Sequence, residues 1–193
     1  MSLRTAPALP PVAVAAAAGA LQLAVSRRTR STPGSLAAAA LPATAAACLL
    51  GDALVRFRRA RTTVDPTAPA AASALVVSGA NRVSRNPMYL GMAAALLAHA
   101  VARRSAVALV PVAGFVGVLT TGQIAAEEMA LDARFGEQYA RYRSEVPRWA
   151  DLRSVCALVA AARRGEVPMK AEVVRCRLGT DREPARATVD HAH

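Results

Sequence analysis

The chain has 193 residues, of which 54% are hydrophobic and 19% charged, and its formal net charge is +11 at pH 7. The apolar residues occur in long blocks without charges, a pattern typical of membrane spans rather than of a soluble domain. The arginines lie at the ends of these blocks, so membrane topology explains the basic charge better than nucleic-acid binding does.

The composition also disfavours several kinds of site. Cys48, Cys156 and Cys176 have no CxxC spacing, and His99 is the one histidine outside the C-terminal tail. We therefore predict ordinary thiols, no disulfide framework and no metal site. Neither a glycine-rich dinucleotide motif nor a P-loop occurs, which argues against a soluble nucleotide-binding enzyme.

The first two blocks predict an N-terminal pair of transmembrane helices, within residues 1–61. The block Ala6–Val25 contains no charge and is long enough to cross a bilayer as a helix. A cleaved signal peptide is the alternative, but the length of the block and a second block close behind it favour a retained span. This second block, Ser35–Val55, carries only Asp52, near an end where a carboxylate can reach the interface.

Residues 62–153 form the predicted core of the protein. Thr62–Ser73 is typical of a loop, and the short apolar stretch Ala74–Val77 fits the membrane interface. The blocks Met88–Ala102 and Ser105–Ala126 are joined only by two arginines, which predicts an antiparallel helical hairpin. The first of these blocks is short for a helix that crosses a bilayer. The hairpin therefore either begins in the polar residues before this block or lies in a locally thinned bilayer.

An amphipathic helix is predicted for Glu127–Arg143. Leu131, Phe135, Tyr139 and Tyr142 recur every three or four residues between polar residues and form an apolar stripe. Gly136 weakens this helix, and Val146-Pro147-Arg148-Trp149 ends it. The stripe must be buried, either on the membrane surface or against protein. Residues 154–193 form a tail that we expect to be poorly ordered from about Arg163.

The predicted fold is therefore all-α: an integral membrane protein with four transmembrane helices and a C-terminal cytoplasmic helix. Basic residues set the orientation through the positive-inside rule. One side of the four-span arrangement holds only five of the 24 basic residues, namely Arg27, Arg28, Arg30, Arg103 and Arg104. The other side is predicted to be cytoplasmic, which places both termini on the cytoplasmic face of the cell inner membrane.

Polar side chains are dense in two segments, residues 84–91 and 127–149, which also hold five of the seven aromatic residues. The first contains Arg-Asn-Pro-Met-Tyr-Leu-Gly, and the second contains Glu-Glu-x-x-Leu-x-x-x-Phe-Gly-x-x-Tyr-x-x-Tyr-x-x-x-Val-Pro-Arg-Trp. With this spacing, the chain resembles the isoprenylcysteine carboxyl methyltransferase family, its bacterial relatives and the related phospholipid N-methyltransferases. The resemblance implies an integral-membrane enzyme that binds S-adenosylmethionine at the cytoplasmic ends of its last two spans, under the C-terminal helix.

The resemblance also implies which residues form the site. The cofactor-binding residues are expected to be Arg85, Asn86, Pro87, Tyr89, Gly91, Glu127, Tyr139 and Tyr142, and the catalytic residues Glu128 and Arg148.

The chemistry of these residues suits such a site. Arg85, which we expect at a water-exposed span end, can bind the methionine carboxylate in a bidentate manner or hold a headgroup phosphate. Glu127 and Glu128 are neighbours, so on a helix their side chains diverge by about 100° and cannot form a paired-carboxylate site. One is expected to serve the ligand and the other a structural arginine. The spacing alone fits Tyr139 and Tyr142 equally well as core residues.

The expected acceptor is a small lipophilic molecule or lipid. Neither polar segment contains a histidine to act as a base, which favours a carboxylate or another acceptor with a low pKa. Asn86 stands where eukaryotic members of the family usually have His, which argues against a prenylated-protein substrate. Two other functions stay open: an NADPH-dependent membrane reductase of the sterol-reductase type, and a non-catalytic scaffold that binds anionic lipid through its basic face.

Overall fold

The computed structural model describes residues 9–60, 74–77, 79–151 and 173–175, and the architecture within them is helical. A pair of three-residue strands accompanies the helices. In chain order the elements are α1 (Pro11–Val25), α2 (Pro33–Ala60), β1 (Ala74–Val76), a 3-10 turn (Gly79–Arg82), α3 (Pro87–Ala102), α4 (Leu109–Thr121), α5 (Gln123–Phe135), α6 (Glu137–Glu145) and β2 (Val173–Arg175).

Two helical stretches are long and apolar enough to cross a membrane. They are Pro33–Val55 and Leu109–Phe135, and the second includes both α4 and α5. Helices α1 and α3 are apolar but shorter, with 15 and 16 residues. Only 11% of the most apolar window in Pro33–Val55 is buried inside the protein. The helical class is therefore confirmed, with two helices that could span a membrane.

Helix α3 packs most extensively against α2, and Gly91 allows the two to approach closely. A Cβ atom at Gly91 would lie 2.9 Å from Leu50 Cγ and 3.2 Å from Leu49 Cβ, well inside normal contact distance. A glycine, which has no Cβ atom, therefore fits at this crossing of α2 and α3. The close approach that Gly91 permits is to another helix of the chain.

The far end of the bundle, where α3 ends and α4 begins, is tied to α1 and α2 by polar side chains. Gln22 donates from Nε2 to the carbonyls of Leu96 and Ala108, at 2.9 and 2.8 Å. Ser35 Oγ donates to the carbonyl of Ala102 at 2.9 Å, and Arg103 donates to that of Ser26 at 2.8 Å. Two of these carbonyls, those of Ala102 and Ser26, lie at the C-terminal ends of α3 and α1, where a helix leaves carbonyls without an intrahelical partner.

The connection of this hairpin is longer than the sequence predicts. Residues 103–108 form a turn, and α4 starts at Leu109 instead of Ser105. Arg104 has a φ of 51°, a left-handed conformation that ends α3, and Ser105 Oγ accepts a bond from the Ala108 amide. The sequence pattern missed this turn because residues 105–108 are as apolar as the helix that follows them.

The predicted amphipathic helix is divided in two, which corrects the interpretation of Glu127–Arg143 as one element. Gly136, with φ +48° and ψ −119°, separates α5 from α6. A side chain disfavours this backbone conformation, so the helix breaks where glycine allows it. Its start also differs, because α5 begins at Gln123, with only Gly122 between it and the end of α4.

The apolar stripe of α5 and α6 is buried against the segment that precedes α3. Leu75, in β1, forms one cluster with Phe135, Tyr139, Tyr142 and Val146. Leu75 is only 5% exposed, so its side chain packs inside the protein, and the location of Ala74–Val77 at the membrane interface stays a prediction. The hydrophobic effect drives the contact, since the stripe and Leu75 each hide an apolar surface from water.

Strand β2 pairs with β1 in antiparallel register, with Leu75 opposite Val174. Residues 173–175 thus depart from the prediction of a poorly ordered tail. The remaining tail residues from 152 onward lie outside the described part of the chain, as do the whole loop predicted at Thr62–Ser73 and the start of the first block.

We expect Gly91→Ala to destabilise the protein by about 1–3 kcal/mol, because its methyl group overpacks the α2–α3 crossing. The measurement is the free energy of unfolding of the purified protein in detergent. Gly114→Ala is the matched control, since a Cβ atom at that helical glycine meets nothing within 4 Å. Equal stability of the two variants would contradict the role of Gly91.

Candidate functional site

The two polar segments of the sequence lie against each other at the N-terminal end of α3. The Arg85 amide donates to the carbonyl of Pro147 at 2.9 Å. Ser84 Oγ and Asn86 Nδ2 both donate to the carbonyl of Arg148, at 2.9 and 3.1 Å. Three hydrogen bonds therefore fix the chain after α6 to the residues before α3.

Glu128 lies between two arginines, one from each polar segment. Its Oε1 atom is 2.9 Å from Arg85 Nη1 and accepts a bond from Arg148 Nε at 3.0 Å. Its Oε2 atom accepts from Arg148 Nη2, so the Arg148 guanidinium binds the carboxylate in a bidentate manner. Such charge-assisted bonds are stronger than neutral ones and fix the plane of both groups.

Burial distinguishes the two arginines of this cluster. The Arg85 side chain is 9% exposed and that of Glu128 12%, whereas that of Arg148 is 36% exposed. Arg85 is therefore not at a water-exposed end, which corrects the prediction for this residue. The cap formed by α6 and the following chain excludes water from it. Arg148 is the cation that solvent, or a ligand, can reach.

Tyr139 joins the cluster through its hydroxyl, which accepts a bond from Arg85 Nη1 at 3.1 Å. Burial raises the pKa of this phenol, and the negative charge of Glu128 adds to the effect. The bidentate bond to Glu128 raises the pKa of Arg148. Tyr139 thus remains a neutral phenol and Arg148 a cation at physiological pH, so neither serves as a base.

The side chain of Glu127 points in a different direction from that of Glu128, as the helical geometry predicts. Its Oε1 atom accepts a bond from the Tyr89 hydroxyl at 2.6 Å and another from Gln123 Nε2 at 2.7 Å. The two adjacent acids therefore contact separate sets of side chains. Glu128 pairs with the arginines, and Glu127 holds Tyr89 at the first turn of α3.

Tyr142 contacts the segment before α3 on the other side of the cap. Its hydroxyl donates to the carbonyl of Asn81 at 2.7 Å, and its ring lies 6.3 Å from that of Tyr139. Burial raises the pKa of Tyr142, so it also stays protonated. This tyrosine anchors the cap to the loop that leads into the Arg85 segment.

The structure thus brings together Arg85, Glu128, Tyr139 and Arg148, and we call these four residues the ion cluster. Asn86 and Tyr89 lie beside it in sequence, and Pro87 is the first residue of α3. Gly91 lies against α2 rather than in the cluster. Within the described residues, no group of three or more histidine, cysteine or acidic side chains is arranged to hold a metal.

Sequence reasoning missed two residues that support the site. Ser84 is fully buried, and its hydroxyl accepts a bond from the Asn86 amide while it donates to the Arg148 carbonyl. Gln123 bonds Glu127 from one helical turn before it. The spacing of Gln123 and Glu127, four residues apart on a helix, is a signal that could have identified this pair.

The ion cluster places two guanidinium groups around one carboxylate. Among the described residues, the buried Arg85 Nε atom has no hydrogen-bond partner. A buried donor without a partner is costly, so this end of α3 can accept a further anionic or polar group. An anion that reaches Arg148 first can share the arginines with Glu128.

We expect Glu128→Gln to loosen the cap, because it keeps the size of the side chain and removes the charge that both arginines bind. Trypsin should cleave the folded protein after Arg134, Arg141 or Arg143 about tenfold faster, since loss of charge-assisted bonds raises the open population by about that factor. Glu137→Gln, at an exposed acid of α6, is the control. Identical cleavage of both variants and the parent would show that Glu128 does not hold the cap.

Comparison with known proteins finds a short relative of this chain. No protein-family model matches the chain, and no solved structure shows a significant match. A protein of Haemophilus influenzae named "Uncharacterized protein" is 39% identical over 62 residues, which are 98% of that protein and 32% of this chain. The chain therefore belongs to the same family as this Haemophilus influenzae protein.

Proposed function

We propose that the chain is an integral-membrane methyltransferase that uses S-adenosylmethionine to methylate a lipophilic acceptor. The observation that carries this proposal is the ion cluster, in which the two segments that resemble methyltransferase motifs meet through Arg85, Glu128 and Arg148. A membrane scaffold has no need for such a junction, because an exposed basic surface is enough to bind anionic lipid.

The residues around the cluster suit the groups of S-adenosylmethionine. The arginines suit the methionine carboxylate of the cofactor. Arg85 Nε, which makes no hydrogen bond to Glu128, can donate one to this carboxylate. The carboxylates of Glu127 and Glu128 attract the positive sulfonium, and the tyrosine rings offer it a favourable face. Asn86 adds an amide for the polar groups of the ribose or the amino acid.

The chemistry asks the protein mainly for alignment. When bound, S-adenosylmethionine supplies an electrophilic methyl group on a cationic sulfur. The cap excludes water from the cluster, and the arginines hold the ligand in one orientation. No histidine lies in the cluster, and both Tyr139 within it and Tyr142 beside it stay protonated. The site therefore favours an acceptor that is already ionised, such as a carboxylate.

We propose four transmembrane helices with both termini in the cytoplasm of a bacterial cell. Two helices have the length of a span, and α1 and α3 pack beside them with apolar surfaces of their own. The apolar exteriors support this arrangement, since Leu41 is 80% exposed and lipid is the solvent that such side chains prefer. The ion cluster then lies at the cytoplasmic end of α3.

Cofactor binding is tested by titrating the purified full chain in detergent with S-adenosylmethionine. We expect Arg148→Ala and Arg85→Lys to weaken binding about ten- to a hundredfold, which corresponds to the roughly 1.5–3 kcal/mol of a charge-assisted bond. Arg82→Ala, at an exposed arginine of the same segment, is the control.

Unchanged affinity in both variants would remove the ion cluster from the binding site. Saturable binding of NADPH without binding of S-adenosylmethionine would support the reductase instead. Incubation with methyl-labelled cofactor and a bacterial lipid extract then identifies the acceptor, and Glu128→Ala should lower labelling without a loss of expression.

Topology is tested with reporter fusions in a bacterial host. A fusion after Asp151 should report the cytoplasm and a fusion after Arg104 the periplasm, because the basic residues are concentrated on the side of the ion cluster. Fusions after Arg30 and Arg59 provide the matching pair for the first two helices. A periplasmic signal after Asp151 would contradict the four-span arrangement.

A further inference from the structure

A groove between α1, α2 and α3 lies away from the ion cluster and has a volume of about 330 Å³. Its walls are apolar and include Leu23, Leu50 and Met92. Small residues make it concave, since Ala15, Gly19 and Ala95 lie where larger side chains would fill the space. Among the residues that the structure describes, no charged side chain lines the groove, so a neutral occupant fits it best.

Two polar side chains break the apolar lining, Gln22 and His99. Within the described part of the chain, the buried atoms Gln22 Oε1 and His99 Nδ1 have no hydrogen-bond partner. Gln22 cannot turn its oxygen toward another group at no cost, because its Nε2 atom already bonds the carbonyls of Leu96 and Ala108. Its oxygen therefore needs a donor from elsewhere.

The two side chains that carry these unpartnered atoms, Gln22 and His99, both line the groove. The Leu96 carbonyl, which Gln22 bonds, points along α3 toward the turn that contains His99, three residues later. One small polar group can thus serve both side chains. A hydroxyl suits them, because it donates to the amide oxygen and either donates to or accepts from the imidazole.

We propose that this groove binds a neutral membrane amphiphile with one apolar chain and a hydroxyl head, the hydroxyl at Gln22 and His99 and the chain along Met92 and Leu50. Along α3, His99 lies about 15 Å from Tyr89, at ten residues of helical rise. The hydroxyl is therefore at the opposite end of the helix from the ion cluster, so the site is distinct from the methyl acceptor's and independent of the proposed activity.

The test is photolabelling of the purified full chain in phosphatidylcholine nanodiscs with a diazirine analogue of hexadecanol. We expect labelled peptides from α1 and α3, and competition by hexadecanol but not by hexadecane. His99→Phe keeps a ring and loses the polar atoms, and should weaken competition by hexadecanol about three- to tenfold, the value of one hydrogen bond.

Variants that fill the groove give a second, independent measurement. Ala95→Phe and Leu23→Trp change exposed groove residues on different helices, and each should abolish most of the labelling. Leu97→Phe is the matched control, because Leu97 is exposed on α3 and does not line the groove. Thermal unfolding of each variant checks its fold.

Two results would overturn the proposal. Equal competition by hexadecanol and hexadecane would show that the groove holds hydrocarbon without recognising a hydroxyl. Labelling that persists in both folded groove-filling variants would place the amphiphile elsewhere on the protein. Loss of cofactor binding with intact photolabelling in the Arg148→Ala variant would support the groove site. Cofactor titration and photolabelling probe opposite ends of α3, so the two proposals are tested separately.

Discussion

The carboxylate of Glu128 is the interaction on which the arrangement of the cap depends. It is held by Arg85, next to the start of α3, and by Arg148, on the chain that follows α6. A carboxylate with this little exposure to water must be paired, because an isolated buried charge costs several kcal/mol. The pairing therefore forces two segments separated by a whole helical hairpin to meet at one point.

Apolar packing and hydrogen bonds support this contact without replacing it. The Leu75 cluster holds α6 over the loop before α3, and Tyr142 bonds the Asn81 carbonyl from the same side. Gly136 provides the change of direction that lets α6 leave the axis of α5. The cap is thus a short helix with an apolar base and a single ionic contact at its edge, a design in which one edge can open while the base stays in place.

Much of this could be predicted from the sequence, because the relevant patterns are local. Charge-free blocks predicted helices, and the stripe from Leu131 to Tyr142 predicted a face that must be buried. From the sequence, Gly136 could be identified only as a weak helix former. Helix propensity does not reveal the sign of φ, so the break itself could not be predicted. Burial of Arg85 and the role of Ser84 depend on where the chain returns after α6. That information is tertiary, and no spacing within either segment contains it.

The unequal exposure of the two arginines determines how an anionic ligand can reach the cluster. Arg85 is enclosed by Glu128 and Tyr139, so a ligand cannot bind it first. Arg148 is more exposed than Arg85. Its bond to Glu128 can be exchanged for a bond to another carboxylate with less disturbance of the cluster than the bond between Arg85 and Glu128 can. Once Arg148 turns to the ligand, Glu128 keeps one arginine and remains paired, which avoids the penalty for a lone buried charge. In the proposed function, an anionic ligand would therefore meet Arg148 before Arg85, because Arg148 is the more exposed of the two.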